Sequence, residues 1–459
     1  MKSVAPPIFE SSAAGDGASL AAAPVDAQSV IDGHQWRNFA AMVVYQVVLR
    51  AGWIFKTESI VMPAVLDLIS GNQPWARQML PLLNRLGQSV PPLLWARRVK
   101  IAPYKSRMLV STTLAMASCF MLLAILWVVT GGQHTWWMPV VFLIFYGLFF
   151  AVLGVNQLVF STAQGKLIAV SHRGRLLLVA NTIGAVIAIS CALLLLPRWL
   201  HTDSADIGAI FGFAAACFFL SAVATLFLVE PPDAFTEPRT SIVTILRNAW
   251  QPIQKDRHFR RLAFIASMYG VSMILFPHYQ AVGREVLDLS LTNLVWWLVL
   301  QNVGTACFSI VAGPIADRYG NRLVLNTVML GLCLAPLLTI VLAWIGPAAG
   351  GWFNWVFVLV GMTPLAIRSL HNYALEIAPP AEHPRYLSSL SLCMATPLII
   401  VVPFGKLLEC VPFDVLFGVV TVFILCGWLA TFGMFEPRHD PEFAHAAKHL
   451  PQDEPLDPT

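Results

Sequence analysis

Gly313-Pro-Ile-Ala-Asp317-Arg318-Tyr319-Gly320-Asn-Arg322 is a short polar interval between two long apolar runs, near 291–313 and 323–345. Each run is long enough to cross a hydrocarbon core, which takes about 20 apolar residues. Between them the chain must turn within a few residues. Gly313 would allow close helix approach, Asp317 offers an acceptor to a helix N-terminus or an arginine, and Gly320 permits a turn of positive φ. Taken alone, the interval is a tight turn with solvated charges. Its weight comes from what surrounds it.

Of the 459 residues 57% are hydrophobic and only 12% charged, against roughly a quarter charged in an ordinary soluble domain. No water-soluble surface can be built from that composition. Apolar stretches lie near 40–66, 76–96, 107–130, 137–163, 176–197 and 207–229, and again near 262–283, 291–313, 323–345, 351–375, 387–408 and 414–436. The chain therefore divides into a tail at 1–36, a six-helix unit at 37–229, a linker at 230–261, a second six-helix unit at 262–436 and a tail at 437–459. Both tails, rich in Ala, Ser, Gly and Pro or in Pro and mixed charge, read as disordered spacers. The eight cysteines form no CxxC pair and read as small apolar residues, so neither a metal site nor a disulfide framework is expected.

Arginines and lysines fix the orientation. Arg97, Arg98, Lys100, Lys105 and Arg107, then Lys166, Arg173 and Arg175, then the linker cations, then Arg318, Arg322 and Arg385 all fall on one side. The other side carries Arg77, Arg198, Arg284 and Lys406. The positive-inside rule makes the first side cytoplasmic, with both termini and the linker there. The halves also echo one another at an offset near 210 residues: Ile168 to Leu176 matches Ile377 to Leu387, and Arg97 to Arg107 occupies the place of Gly313 to Arg322. A parallel repeat of this kind places two bundles around a pseudo-twofold axis along the membrane normal.

The interval from Gly313 to Arg322 resembles the signature loop of the major facilitator superfamily, and the twelve-span pattern extends the resemblance over about 38–436. It implies an all-α membrane fold of twelve transmembrane helices in two six-helix bundles, with helices 1, 4, 7 and 10 lining a central cavity. It also implies a gate on the basic side built from Gly313, Asp317, Arg318, Gly320 and Arg322, closing against Arg173 or Arg175. The first-half loop departs from the pattern, with Ala102 where an acid is expected.

Polar residues inside the spans follow the implied arrangement. The first span holds Arg50, Lys56 and Glu58, the second Asn84, Arg85 and Gln88, the fourth Asn156 and Gln157, the seventh Tyr269, Ser272 and His278, and the tenth Arg368, His371 and Asn372. The third and sixth hold no ionisable Asp, Glu, Lys, Arg or His. A charge at membrane depth costs at least ~2.5 kcal/mol, so these residues should face water or one another. On a helix advancing about 100° per residue, Arg368, His371 and Asn372 share a face, whereas Lys56 and Glu58 lie about 160° apart and should not both address a cavity. Glu58 with Arg85 is a candidate interhelical pair. The substrate-binding set is thus Arg50, Lys56, Glu58, Arg85, Gln88, Asn156, Gln157, Tyr269, Arg368, His371 and Asn372. Arg50 and Arg85 read equally as structural ion-pair members and His371 as a hydrogen-bonded core residue. Trp136, Trp137, Trp296 and Trp297 read as interfacial belts.

No nucleotide-binding loop, metal helix or catalytic constellation is present, so neither an enzyme nor a cofactor is expected. The function that follows is a secondary transporter in the cell's inner membrane, monomeric, moving a small solute by alternating access. The excess of buried cations points to an anionic solute, and protons acting through Glu58 or His371 are the candidate coupling ion. A multidrug exporter and a transporter-like sensor are the alternatives, and nucleic acid is not an expected partner.

Overall fold

The computed structural model describes residues 27–71, 74–131, 135–200, 206–233, 241–379, 382–401 and 411–436. The tails at 1–26 and 437–459, the linker stretch 234–240, Lys406 and Cys410 lie outside the described residues, as does the side chain of Asp317. The described chain is helical, without strands. Eight helices are individually long and apolar enough to cross a membrane.

The first half comprises α1 (Ala27–Gly33), α2 (Gln35–Ile54), α3 (Val61–Ser70), α4 (Pro74–Ile101), α5 (Lys105–Val129), α6 (Met138–Leu167), α7 (Val170–Trp199) and α8 (Ile207–Thr225). An amphipathic helix, α9 (Ile242–Lys255), occupies the linker. The second half comprises α10 (Arg257–Ser272), a 3-10 turn at Met273–Leu275, α11 (Phe276–Glu285), α12 (Asn293–Tyr319), α13 (Asn321–Ile345), α14 (Asn354–Val360), α15 (Thr363–Ile377), α16 (His383–Val401) and α17 (Phe413–Phe432). The expected first, seventh and tenth spans are the broken rods α2–α3, α10–α11 and α14–α15. Counted that way, the helices agree with twelve crossings.

Packing pairs reveal the repeat. In the first half α4 packs on α6, α5 on α6 and α8, and α2 on α7 and α8. In the second half α12 packs on α14, α13 on α15 and α17, and α10 on α16 and α17. Each of these five first-half pairs has its counterpart under the exchange of the two sets of six. The halves meet through α4 with α16 and α7 with α12, which the same exchange maps onto each other. Two crossings are tight enough to demand glycine. A Cβ on Gly154 would meet the Gly87 carbonyl at 2.6 Å, and one on Gly361 would meet the Gln301 carbonyl at 2.5 Å. Small residues let backbones approach closely where no hydrophobic driving force brings helices together.

The outer surface is apolar where lipid should be. Ile125, Val128 and Val129 on α5, and Val415, Val422 and Leu429 on α17, are exposed, which is stable only against hydrocarbon. Trp136 and Trp296 are exposed as belt residues should be, but Trp297 is fully buried and stacked on Phe357 at 4.7 Å. One of two adjacent residues on a helix must face inward when the other faces out, and the sequence pair does not say which. The tail also differs from expectation. Residues 27–33 form α1, a turn at His34 follows, and the entry to α2 is tied down by Gln35, whose Nε2 lies 2.8 Å from His172 Nδ1, and by Trp36 packing on the same imidazole.

Candidate functional site

Between Ile54 and Val61 the first rod is not helical. The angular argument that separated Lys56 from Glu58 presumed a continuous helix and does not apply. Both turn into the first bundle. Lys56 is buried, its ammonium 3.1 Å from the Trp53 ring centroid and 4.1 Å from that of Phe150. The π faces supply part of what water would have given the cation. Glu58 accepts a hydrogen bond from Asn84, which in turn accepts one from Gln88. Lys56 and Arg85 both lie within electrostatic range of its carboxylate. The other Glu58 oxygen, Oε1, is buried with no hydrogen-bond partner among the described residues.

Arg85 carries this network to the second half. Its Nε lies 2.9 Å from Met273 Sδ, its guanidinium is 6.0 Å from the Tyr269 ring centroid, and it is within electrostatic range of His371. Tyr269 is itself buried, its hydroxyl 3.5 Å from the Thr363 carbonyl. Toward the basic side of this network the polar side chains are less buried. Arg50 donates to Asn181 Oδ1 at 2.8 Å, and its charged neighbour from the opposite half is Arg368, close enough to repel it. Arg368, Asn372 and Gln157 are exposed although they lie well within their spans. Asn156, next to Gln157, is instead committed to packing. It is buried, accepts from Tyr45 Oη at 2.7 Å and donates to Thr112 and Thr113 at 2.9 Å, so it pins α6 to α2 and α5 inside the first bundle.

The opposite, cation-poor side is closed by a cluster that composition did not single out. Asp67 on α3 pairs with Arg77 on α4, both nearly fully buried. From α11 of the other half, Gln280 Nε2 donates to Asp67 Oδ2 at 2.7 Å, Glu285 Oε1 sits 2.5 Å from Arg77 Nη2, and Arg284 approaches Asp67 at 4.0 Å. Ser59 Oγ donates to Gln301 at 2.8 Å a little deeper. Asp67 falls just beyond the apolar run at 40–66, and Gln280 is 213 positions away, so only the fold could join them. The advance signals were Arg77 and Arg284, two of the four cations read on the side where cations are scarce.

On the basic side, the described residues of the signature loop make local contacts. Gly320 has φ +87°, the expected positive value, and a Cβ there would collide with the Glu436 carboxylate. Gly313 is exposed, and a Cβ on it would meet nothing, so it makes no close helix approach. Arg318 is exposed, and Arg322 donates to the Phe432 carbonyl at 2.9 Å. Arg173 donates to the carbonyls of Ile168 and Gly165 at 2.9 and 2.6 Å, capping the end of α6, while Arg175 is exposed. The acid missing at Ala102 is replaced from elsewhere. Glu230, just past α8, accepts from the backbone N–H groups of Lys105 and Ser106 at 2.9 and 2.7 Å and from Lys166 at 2.9 Å. Its counterpart Glu436, just past α17, faces the Arg322 N–H at 3.4 Å. Each half thus lends a glutamate from the exit of its last helix to the N-terminus of its third, where the dipole favours negative charge.

These features agree with comparisons to known proteins. The model of the Major Facilitator Superfamily matches residues 86–367 and 284–455. No curated protein matches the sequence. Among solved structures, a mutant of nucleoside transporter NupG superposes with a TM-score of 0.65 at 12% identity, covering 88% of this chain and 100% of that one. An auto-inhibited POT family peptide transporter gives 0.61 at 12% identity, covering 92% and 99%. A bacterial homologue of the iron transporter ferroportin in an inward-facing state gives 0.61 at 13% identity, covering 87% and 98%. At such identities the likeness is one of fold. The packing repeat and the family match together place this multi-pass membrane transporter in the major facilitator superfamily.

Proposed function

We propose that the protein is a secondary active transporter that moves a small anionic solute by alternating access, and that the conformation described here is open to the cytoplasm. The observation that carries this reading is the electrostatic proximity of Arg50 and Arg368. They come from opposite halves, and the hydrogen bond that Arg50 makes is to a neutral amide. An anion between two guanidiniums relieves their repulsion and can be held by planar, bidentate hydrogen bonds. Because each half contributes one arginine, the same anion draws the halves together, and binding energy thereby favours the occluded form. The sealed cluster around Asp67 supports closure on the outer side.

The test is thermal stabilisation of the purified protein across carboxylates, phosphate esters, neutral solutes and organic cations, followed by uptake into liposomes. A bound solute raises stability by RT ln(1 + [L]/Kd), about 2.7 kcal/mol at a hundredfold excess over Kd. Anions should stabilise the wild type and lose that effect in Arg50→Gln and Arg368→Gln. Transport confined to cationic compounds would refute the assignment.

Proton coupling is supported by Glu58, a carboxylate with an unpartnered oxygen that is linked through Arg85 to His371. Protonation of Glu58 would release Arg85 to a substrate anion. Uptake that ignores an imposed pH gradient would remove this part. Cytoplasmic placement of the basic side and both termini is tested by reporter fusions at each end.

A further inference from the structure

At the membrane boundary on the basic side, a groove of about 750 Å³ opens between the end of α4, the linker helix α9 and the start of α16. Arg97, Arg98, Lys100 and Arg385 line it together with Leu93 and Trp95, and no carboxylate is among its lining residues. Trp95 is 39% exposed, with the Arg98 guanidinium 4.7 Å from its ring centroid. Arg385 has one ionic partner, Glu382 at 3.3 Å, in a partly exposed pair that water screens. The groove therefore has a cationic rim and an apolar, aromatic floor at the level where headgroups meet acyl chains.

We propose that this groove is a binding site for an anionic phospholipid of the adjoining leaflet, with the phosphate among the arginines and the acyl chains along Leu93 and Trp95. Charge complementarity selects the occupant. A zwitterionic headgroup brings its own cation into a site already holding four, whereas phosphatidylglycerol brings only the anion. A soluble anion would leave the apolar floor uncovered. Because α4 belongs to the first half, α16 to the second and α9 to the linker between them, a lipid seated there touches both halves at the end that must move, and its occupancy biases the rocking equilibrium.

The full-length protein, purified in neutral detergent, is offered equal amounts of phosphatidylglycerol and phosphatidylcholine, and retained lipid is counted by native mass spectrometry. The wild type should retain phosphatidylglycerol preferentially, and each cation removed should weaken that preference by on the order of fivefold. Arg97→Gln with Arg98→Gln and Arg385→Gln should abolish it, while Arg198→Gln, a cation on the opposite side of the membrane, should leave it intact. Ser388→Glu, which adds a carboxylate to the groove wall without removing a cation, should weaken it by a similar factor of about five and serves if the triple variant fails to fold. Equal retention of both lipids by the wild type, undiminished preference in the Ser388→Glu protein, or displacement of phosphatidylglycerol by millimolar inorganic phosphate would each overturn the proposal.

Discussion

Leucine in place of Gln280 removes the buried hydrogen bond that ties α11 of the second half to Asp67 of the first, and it should unlatch the outer side. A hydrogen bond to a charged group contributes about 1.5–3 kcal/mol. Gln280 is fully buried and its Oε1 has no hydrogen-bond partner among the described residues, so leucine also relieves a cost. The lower half of that range is therefore the relevant one. At about 2 kcal/mol, the ratio of outer-open to outer-sealed molecules rises about thirtyfold. Glu285→Gln should do less, because its carboxylate is 48% exposed, and such half-solvated pairs contribute less than ~1 kcal/mol. Spin labels at Arg198→Cys and Thr292→Cys, exposed outer-side positions on opposite halves, report the separation by double electron–electron resonance. The Gln280→Leu protein should gain a longer-distance population that the parent lacks. An unchanged distance distribution, or a larger response to Glu285→Gln than to Gln280→Leu, would refute the assignment of the latch.

Three other outcomes follow from the packing. Glu230→Gln weakens bonds to two backbone N–H groups and to Lys166; at roughly 2 kcal/mol the Tm should fall by about 2 °C, and an unshifted melt would show that the cap is dispensable. Gly154→Ala and Gly361→Ala should each lower Tm, because both Cβ atoms meet backbone carbonyls that cannot yield, and overpacking costs about 1–3 kcal/mol; a rise at either position, as helix propensity alone demands, would contradict the close crossing. Asn156→Ala should lower Tm without altering ligand stabilisation, whereas Gln157→Ala should weaken ligand stabilisation at constant Tm; the reverse pattern in melting curves would mean the two neighbours have been assigned to the wrong faces.

Much of the fold was legible because a membrane imposes a one-dimensional rule: apolar for a span, basic at one end, polar in between. The interruptions were not. The break after Ile54 contains no glycine or proline; there Thr57 turns its hydroxyl onto the Ile54 carbonyl at 2.7 Å, and Lys56 and Glu58 turn into the bundle. A helical-wheel argument through that point was bound to misplace one of them. By contrast Arg368, His371 and Asn372 lie within the continuous helix α15, and their shared face survives. The gate was read from a local motif, and local bonds are what the motif makes: Gly320 turns the chain, and Arg322 holds the end of α17.

The distribution of those bonds bears on how the molecule could move. On the basic side Glu230 and Arg173 tie helices within the first half, and Arg322 and Glu436 within the second. Polar bonds that cross between halves run from the outer end to the midplane: Arg77 to Glu285, Gln280 to Asp67, Ser59 to Gln301, Arg85 to Met273 and Ser89 to Ser391. Internal caps hold each bundle at the basic end, and the cross-bundle bonds hold the pair together at the cation-poor end. If alternating access operates as proposed, the bonds at the cation-poor end must be exchanged for new ones at the basic end, and an anion bound between Arg50 and Arg368 would supply the pull from the middle. Asp67 and Arg77 remain paired within the first half throughout, so the exchange never leaves either charge buried alone, a state that would cost about 3–5 kcal/mol.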